Sequence, residues 1–167
     1  PHMLHRWPRF ALWLVALGAA VCGSPARAHE FTLDAAINAF FTVEPGEAHL
    51  VVRAPLYLFK SSKFPVKNIE IDVPQSASAL ERALGAIQKD VVILEDSRKL
   101  TAARATARLS LPSDRSFQSY EGAVRHVSEP VAPDTQIYID QGYVDAHIIY
   151  PLQTTNPELS IRSTAGP

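Results

Sequence analysis

A mainly β, antiparallel, sandwich-like domain carrying one or two short helical insertions is the fold this 167-residue sequence predicts. Three observations predict it. Apolar and polar residues alternate through a succession of short runs, helical spacing occurs in two places, and no internal repeat or low-complexity tract breaks the chain. An open antiparallel sheet with its helices on one face is the alternative arrangement. Apolar residues make up 47% and charged residues 20%, enough for a packed core and too apolar for a disordered chain. With 16 Lys and Arg against 17 Asp and Glu, the chain lacks the basic excess that nucleic-acid binding needs.

In chain order, Arg6 and Arg9 precede an apolar run at residues 10–21, which leads to Ala26-Arg27-Ala28. A basic start, a short apolar stretch and small residues at positions −3 and −1 predict a secretory signal peptide over residues 1–28, cut before His29. Residues 29–167 then form an extracytoplasmic domain. Cys22 would leave with the leader, and the branched Val21 before it argues against lipidation. Three of the 16 basic residues (Arg6, Arg9 and Arg27) and none of the 17 acids would go too, so 13 bases face 17 acids in a domain without cysteine. Its stability must come from an apolar core.

In residues 48–54, Leu50, Val52 and Ala54 share one strand face, while His49, Val51 and Arg53 share the other, which is expected to be polar. Pro55 bends or ends this strand, and residues 56–59 continue the apolar stretch. Residues 68–73 alternate so that Ile69, Ile71 and Val73 face a core. From Ser78 the period turns helical: Ser78 and Glu81 offer a capping box, and Leu80, Leu84 and Ile87 mark an apolar stripe. Residues 91–96 predict a buried strand followed by a turn at 96–99, and residues 106–111 another strand, ended by Pro112. A second helix is expected from about residue 113, with Phe117, Tyr120, Val124 and Val127 in register and Gly122 weakening it by about 1 kcal/mol relative to Ala. Residues 135–140 and 143–150, joined by Gln141-Gly142, predict a hairpin, and residues 160–164 a last strand.

The rings of Phe31, Phe40, Phe41, Tyr57, Phe59 and Phe64 are assigned to the core. Tyr138, Tyr143 and Tyr150 are expected to turn their hydroxyls outward, which makes the hairpin the partner-facing edge. No Gly-x-Ser-x-Gly elbow, HExxH motif or phosphate-cradling glycine loop is present, so the domain is expected to be non-catalytic.

Metal ligation is the sharper expectation. As an N-terminal residue, His29 would offer its α-amine and imidazole Nδ1 to copper(II) or nickel(II), which favour nitrogen donors in tetragonal geometry. His147 is the second candidate, because Asp145 lies two positions away on the same strand face and can ligate or orient the imidazole. His49 is the third. His126 falls near the end of the second helix, where a partial positive charge is favoured in any case. The same residues also fit a hydrated polar face, so a metal-free reading stays open.

Several segments together carry a resemblance: Ala28-His29-Glu30-Phe31-Thr32-Leu33-Asp34-Ala35, His49-Leu50-Val51-Val52-Arg53, Leu111-Pro112-Ser113-Asp114-Arg115-Ser116 and Ile139-Asp140-Gln141-Gly142-Tyr143. Over most of residues 29–167 the chain resembles the extracytoplasmic N-terminal region of HupE/UreJ-like membrane proteins. The resemblance implies a membrane-associated accessory domain linked to nickel or cobalt uptake, with a transmembrane transport domain or another envelope protein as partner. No run after Tyr150 is long enough to span a bilayer, so no transport ligand carries over to this sequence. The rivals are a freestanding periplasmic copper binder that uses His29 and a metal-free protein docking module. Neither a nucleic acid nor a small-molecule substrate is expected.

Overall fold

The structure, a computed structural model, describes residues 36–164; the leader expected at 1–28, His29 and Phe31 lie outside them. Strand β1 (Asn38–Glu44) turns through Pro45 and Gly46 into β2 (Glu47–Pro55), and Gly46 takes φ 81°, a conformation that glycine adopts without strain. A 3₁₀ turn (Leu56–Ser62) leads to the small hairpin of β3 (Val66–Lys67) and β4 (Glu70–Ile71). Helix α1 (Ala77–Asp90) follows, then β5 (Val91–Glu95), β6 (Arg98–Lys99) and β7 (Arg104–Ser110). Helix α2 (Tyr120–Ser128) precedes β8 (Tyr143–Pro151) and β9 (Leu159–Ser163).

The domain is mainly β and antiparallel, with short helical insertions. Four strands in the order β1-β2-β8-β7 form the main sheet, and β6-β5-β9 form a second one. Alternation along β2 and β8 gives the main sheet two chemically different faces. On one, Ala48, Leu50, Val52 and Ala54 join Val144, Ala146, Ile148 and Tyr150 in a core shared with Ile93 of β5 and with Ala79, Ala83 and Ile87 of α1. Fully burying an aliphatic side chain of this size stabilises by about 1.5–3 kcal/mol. On the other face Val51 meets Ala123 and Val127 of α2, with Phe40, Phe117 and Tyr120 packed around them. The helices therefore cover opposite faces, unlike the one-sided alternative.

Several local expectations are overturned. Residues 135–142 do not pair with β8; Tyr138 makes one bridge to Glu70, and the turn closes through Gly142 N donating to Tyr138 O at 2.8 Å. Instead β8 pairs along its whole length with β2 and along its first seven residues with β7, longer ladders than the local hairpin offered. Ile69 is 69% exposed, because Asn68 takes φ 63° and the strand shrinks to Glu70–Ile71. Ser76, not Ser78, precedes α1, and its hydroxyl donates to Asp72 O rather than capping the helix. Tyr150 is 3% exposed, with its hydroxyl in the core and without a hydrogen-bond partner.

Helix α2 starts later than its apolar spacing suggests, at Tyr120, with Ser119 as a cap whose hydroxyl oxygen accepts from Gly122 N. Gly122 is required there. A Cβ at that position would lie 2.7 Å from Ser116 O and 2.9 Å from Ser119 Oγ, so a steric need outweighs glycine's poor helix propensity.

Candidate metal centre

The face of the main sheet beneath α2 was expected to be polar and hydrated. It is polar, but covered: His49, Arg53 and Asp145 are 6%, 5% and 0% exposed. Two clusters lie along it.

The first is centred on Arg53. Register places Arg53 opposite Asp145, and its Nε and NH2 donate to the two Asp145 oxygens at 2.8 and 2.6 Å. NH2 also donates to Asp114 Oδ1 at 2.7 Å and NH1 to Asp114 O at 3.0 Å, while the Phe117 ring lies under the guanidinium at 4.4 Å. Burial alone would lower the Arg53 pKa; the hydrogen bonds from its guanidinium to Asp145 and Asp114 outweigh that and raise it. For Asp114, burial pushes the pKa up, but hydrogen bonds from Ser116 and Arg53 overcome this and hold it down at about 2.

Ser110 and His126 complete this cluster. Ser110 Oγ is 2.9 Å from His126 Nε2, and His126 Nδ1 is 3.3 Å from Asp114 Oδ2, an order of groups that resembles a nucleophile, base and orienting acid. The hydroxyl proton, however, goes to Asp145 Oδ2 at 2.6 Å, a stronger acceptor than an imidazole, and Ser110 is 2% exposed. Burial, and after it Arg108, lower the His126 pKa. A cavity of about 220 Å³ lies beside Ser110, Asp114 and His126.

Asp114, His126 and Asp145 are the triplet of ligand-type residues, among the described residues, whose donor atoms all lie within 4.8 Å of one another. Their donor types suit a divalent ion, but the space between the two carboxylates holds the Arg53 guanidinium, which already supplies the positive charge. A metal there would have to displace a buried, bidentate ion pair.

The second cluster lies at the β1–β2 turn. His49 and His147 are diagonal neighbours across the β2–β8 ladder, and His49 Nδ1 is 3.0 Å from His147 Nε2. Burial, with His49 and Arg104 next in weight, lowers the His147 pKa and favours its neutral, ligating form. On its other side, His49 Nε2 points at Glu47 Oε2 and Glu44 Oε2, at 3.5 and 3.7 Å. That nitrogen is buried and has no hydrogen-bond partner. The two-residue turn sets Glu44 directly opposite Glu47, both on the His49 side of the ribbon. Tyr120 Oη donates to Glu44 Oε1 at 3.2 Å, and Arg104 NH2 donates to Glu47 Oε1 at 2.8 Å.

Of the four ligands expected from sequence, His29 lies outside the described residues, His49 and His147 come together, and Asp145 shares their face but is taken by Arg53. Glu44 and Glu47 were not recognised. The signal was available in two acids bracketing Pro45-Gly46 with a histidine two positions on, but it has meaning only once β1 is seen as a strand. No family model, curated protein or solved structure matches the chain.

Proposed function

We propose that the chain is an extracytoplasmic, non-catalytic accessory domain that takes up a transition-metal ion and presents it to a membrane partner. Its resemblance to the front region of HupE/UreJ-like proteins makes nickel or cobalt the ion and a transmembrane transport domain the partner, with residues 1–28 as the export signal. The observation that supports metal uptake is the meeting of His49 and His147, nitrogens 3.0 Å apart, with carboxylate oxygens of Glu47 and Glu44 at 3.5 and 3.7 Å from His49 Nε2. Imidazole donors suit nickel and copper, whereas magnesium and calcium prefer oxygen donors alone.

Titration calorimetry of the processed chain with Ni²⁺, Co²⁺ and Cu²⁺ tests this reading. The expected result is uptake of one ion that survives His29→Ala and is lost in His49→Gln. Binding of copper alone, lost in His29→Ala, would point instead to an N-terminal copper chelate. Absence of binding to all three would leave a docking module. That reading has its own support in the exposed apolar side chains Leu58, Val66, Ile69 and Ile139.

A further inference from the structure

A cavity that shares no residue with either polar cluster lies between the 3₁₀ turn at Leu56–Ser62 and the turn at residues 138–142. We propose that it binds a small organic monoanion with an apolar body, of the medium-chain carboxylate class, and that Lys60 and Lys63 receive its charged head. This inference stands apart from metal uptake.

Size and lining set the class of ligand. The cavity measures about 440 Å³, within the usual range for small-molecule sites. At roughly 30 Å³ for each water-sized atom it has room for about fifteen, enough for octanoate. Buried Leu56, Phe59 and Phe64 line it with the half-buried Tyr57, and Ile139 stands at its exposed side, 40% accessible to solvent. An apolar lining of this kind holds a hydrocarbon body but offers nothing to a wholly polar solute. The walls are tied together before any ligand arrives. Leu56 N donates to Gly142 O at 2.9 Å, and Gln141 N and Gly142 N donate to Tyr138 O at 3.1 and 2.8 Å, so little ordering remains to oppose binding.

Charge sets the head group. Residues 56–67 contain three lysines and no acid, in a chain whose acids and bases otherwise balance. Two of those lysines, Lys60 and Lys63, line the cavity, and among the described residues neither ammonium has an ion-pair partner. Lys63 N donates to Lys60 O at 3.2 Å and closes the turn with Lys63 at φ 51°. Glycine adopts that left-handed conformation without strain, whereas lysine there keeps a second ammonium at the cavity. Asp140 is the one acid of the lining, so two positive charges and one negative leave a net charge of +1. That balance favours a single carboxylate over a dianion. Because both lysines and Asp140 are exposed, the head group stays at the solvent side and keeps part of its hydration while the body enters the apolar base.

The test is an NMR titration of the full chain with octanoate, octan-1-ol and acetate at low ionic strength. Octanoate is expected to bind with amide shifts concentrated at residues 56–64 and 138–142, more tightly than octan-1-ol, and acetate is expected not to bind. In Lys60→Gln/Lys63→Gln the octanoate affinity is expected to fall about tenfold, a loss that shrinks as salt is added, and the preference over octan-1-ol to disappear. Ile139→Asn is expected to weaken octanoate and octan-1-ol alike. These variants change only exposed side chains, and the amide spectrum of each without ligand checks that its fold is kept. Failure of octanoate to bind, shifts centred elsewhere, or an unchanged octanoate affinity in the lysine variant would overturn the proposal. So would sedimentation with anionic phosphatidylglycerol vesicles by a chain that ignores free octanoate, which would make this face a membrane contact instead.

Discussion

Two polar clusters share one face of the main sheet, each built around a pair of carboxylates, and they differ in what neutralises the charge. At Asp114 and Asp145 the countercharge is covalently part of the chain: Arg53 reaches both acids and is stacked on Phe117. At Glu44 and Glu47 the nearby buried group is the imidazole of His49, and the Arg104 guanidinium that pairs with Glu47 is exposed. The first arrangement is a structural solution, because its cation cannot leave. The second is the cluster to which the proposed metal uptake is assigned. Burial follows the same division, from Asp145 with no exposure to Glu44 with its side chain half exposed.

The sharpest way to break this comparison is to remove the built-in cation. Arg53→Met leaves Asp145 charged and wholly buried, and unfolding in urea is expected to show a loss of about 3–5 kcal/mol. Glu47→Gln without metal is expected to cost under about 1 kcal/mol, because the Glu47–Arg104 pair is exposed. A cost below about 1 kcal/mol for Arg53→Met would show that the first cluster is not the structural one.

A smaller effect separates the clusters by pH. The Asp114 pKa is depressed in the folded chain from 3.8 to about 2, so it contributes stability that is complete above pH 3.8 and lost as pH falls toward 2. Urea unfolding between pH 5 and pH 2 is expected to show a steeper decline for the parent chain than for Asp114→Asn. Parallel declines would mean that the carboxylate is not held by Arg53 and Ser116 in solution.

The Arg53 cluster and the His49 cluster were unequally legible in the sequence. Alternation along residues 48–54 and 143–150 announced β2 and β8, and with them that His49 and Arg53 share a face and that Asp145 and His147 share one. What alternation does not contain is which strands pair. The Arg53–Asp145 ion pair spans 92 positions and the His49–His147 contact 98, so both depend on β8 choosing β2 over its near neighbour at residues 135–140. Nor does alternation say that a polar face will be covered. Ala123 and Val127 of α2 pack over Val51, which turns a face that reads as hydrated into a buried one. Gly122 reads as a helix-weakening residue, although the close approach of Ser116 O makes it a packing requirement.

The smallest expected effect sharpens the comparison most, because it asks whether the second cluster behaves as one that lacks a fixed cation. Arg104 supplies part of the missing positive charge through Glu47, yet its side chain is 65% exposed and the interaction is screened by solvent. Arg104→Gln leaves both carboxylates and His49 in place and removes only the competing charge. Ni²⁺ affinity is therefore expected to rise about threefold at low ionic strength, about 0.7 kcal/mol, with the gain shrinking as salt is added. A fall in affinity would mean that Arg104 holds Glu47 in position for the ion more than it competes with it. An unchanged value at low salt would place the ion away from Glu47, since removing a charge beside a bound cation cannot be silent when screening is weak.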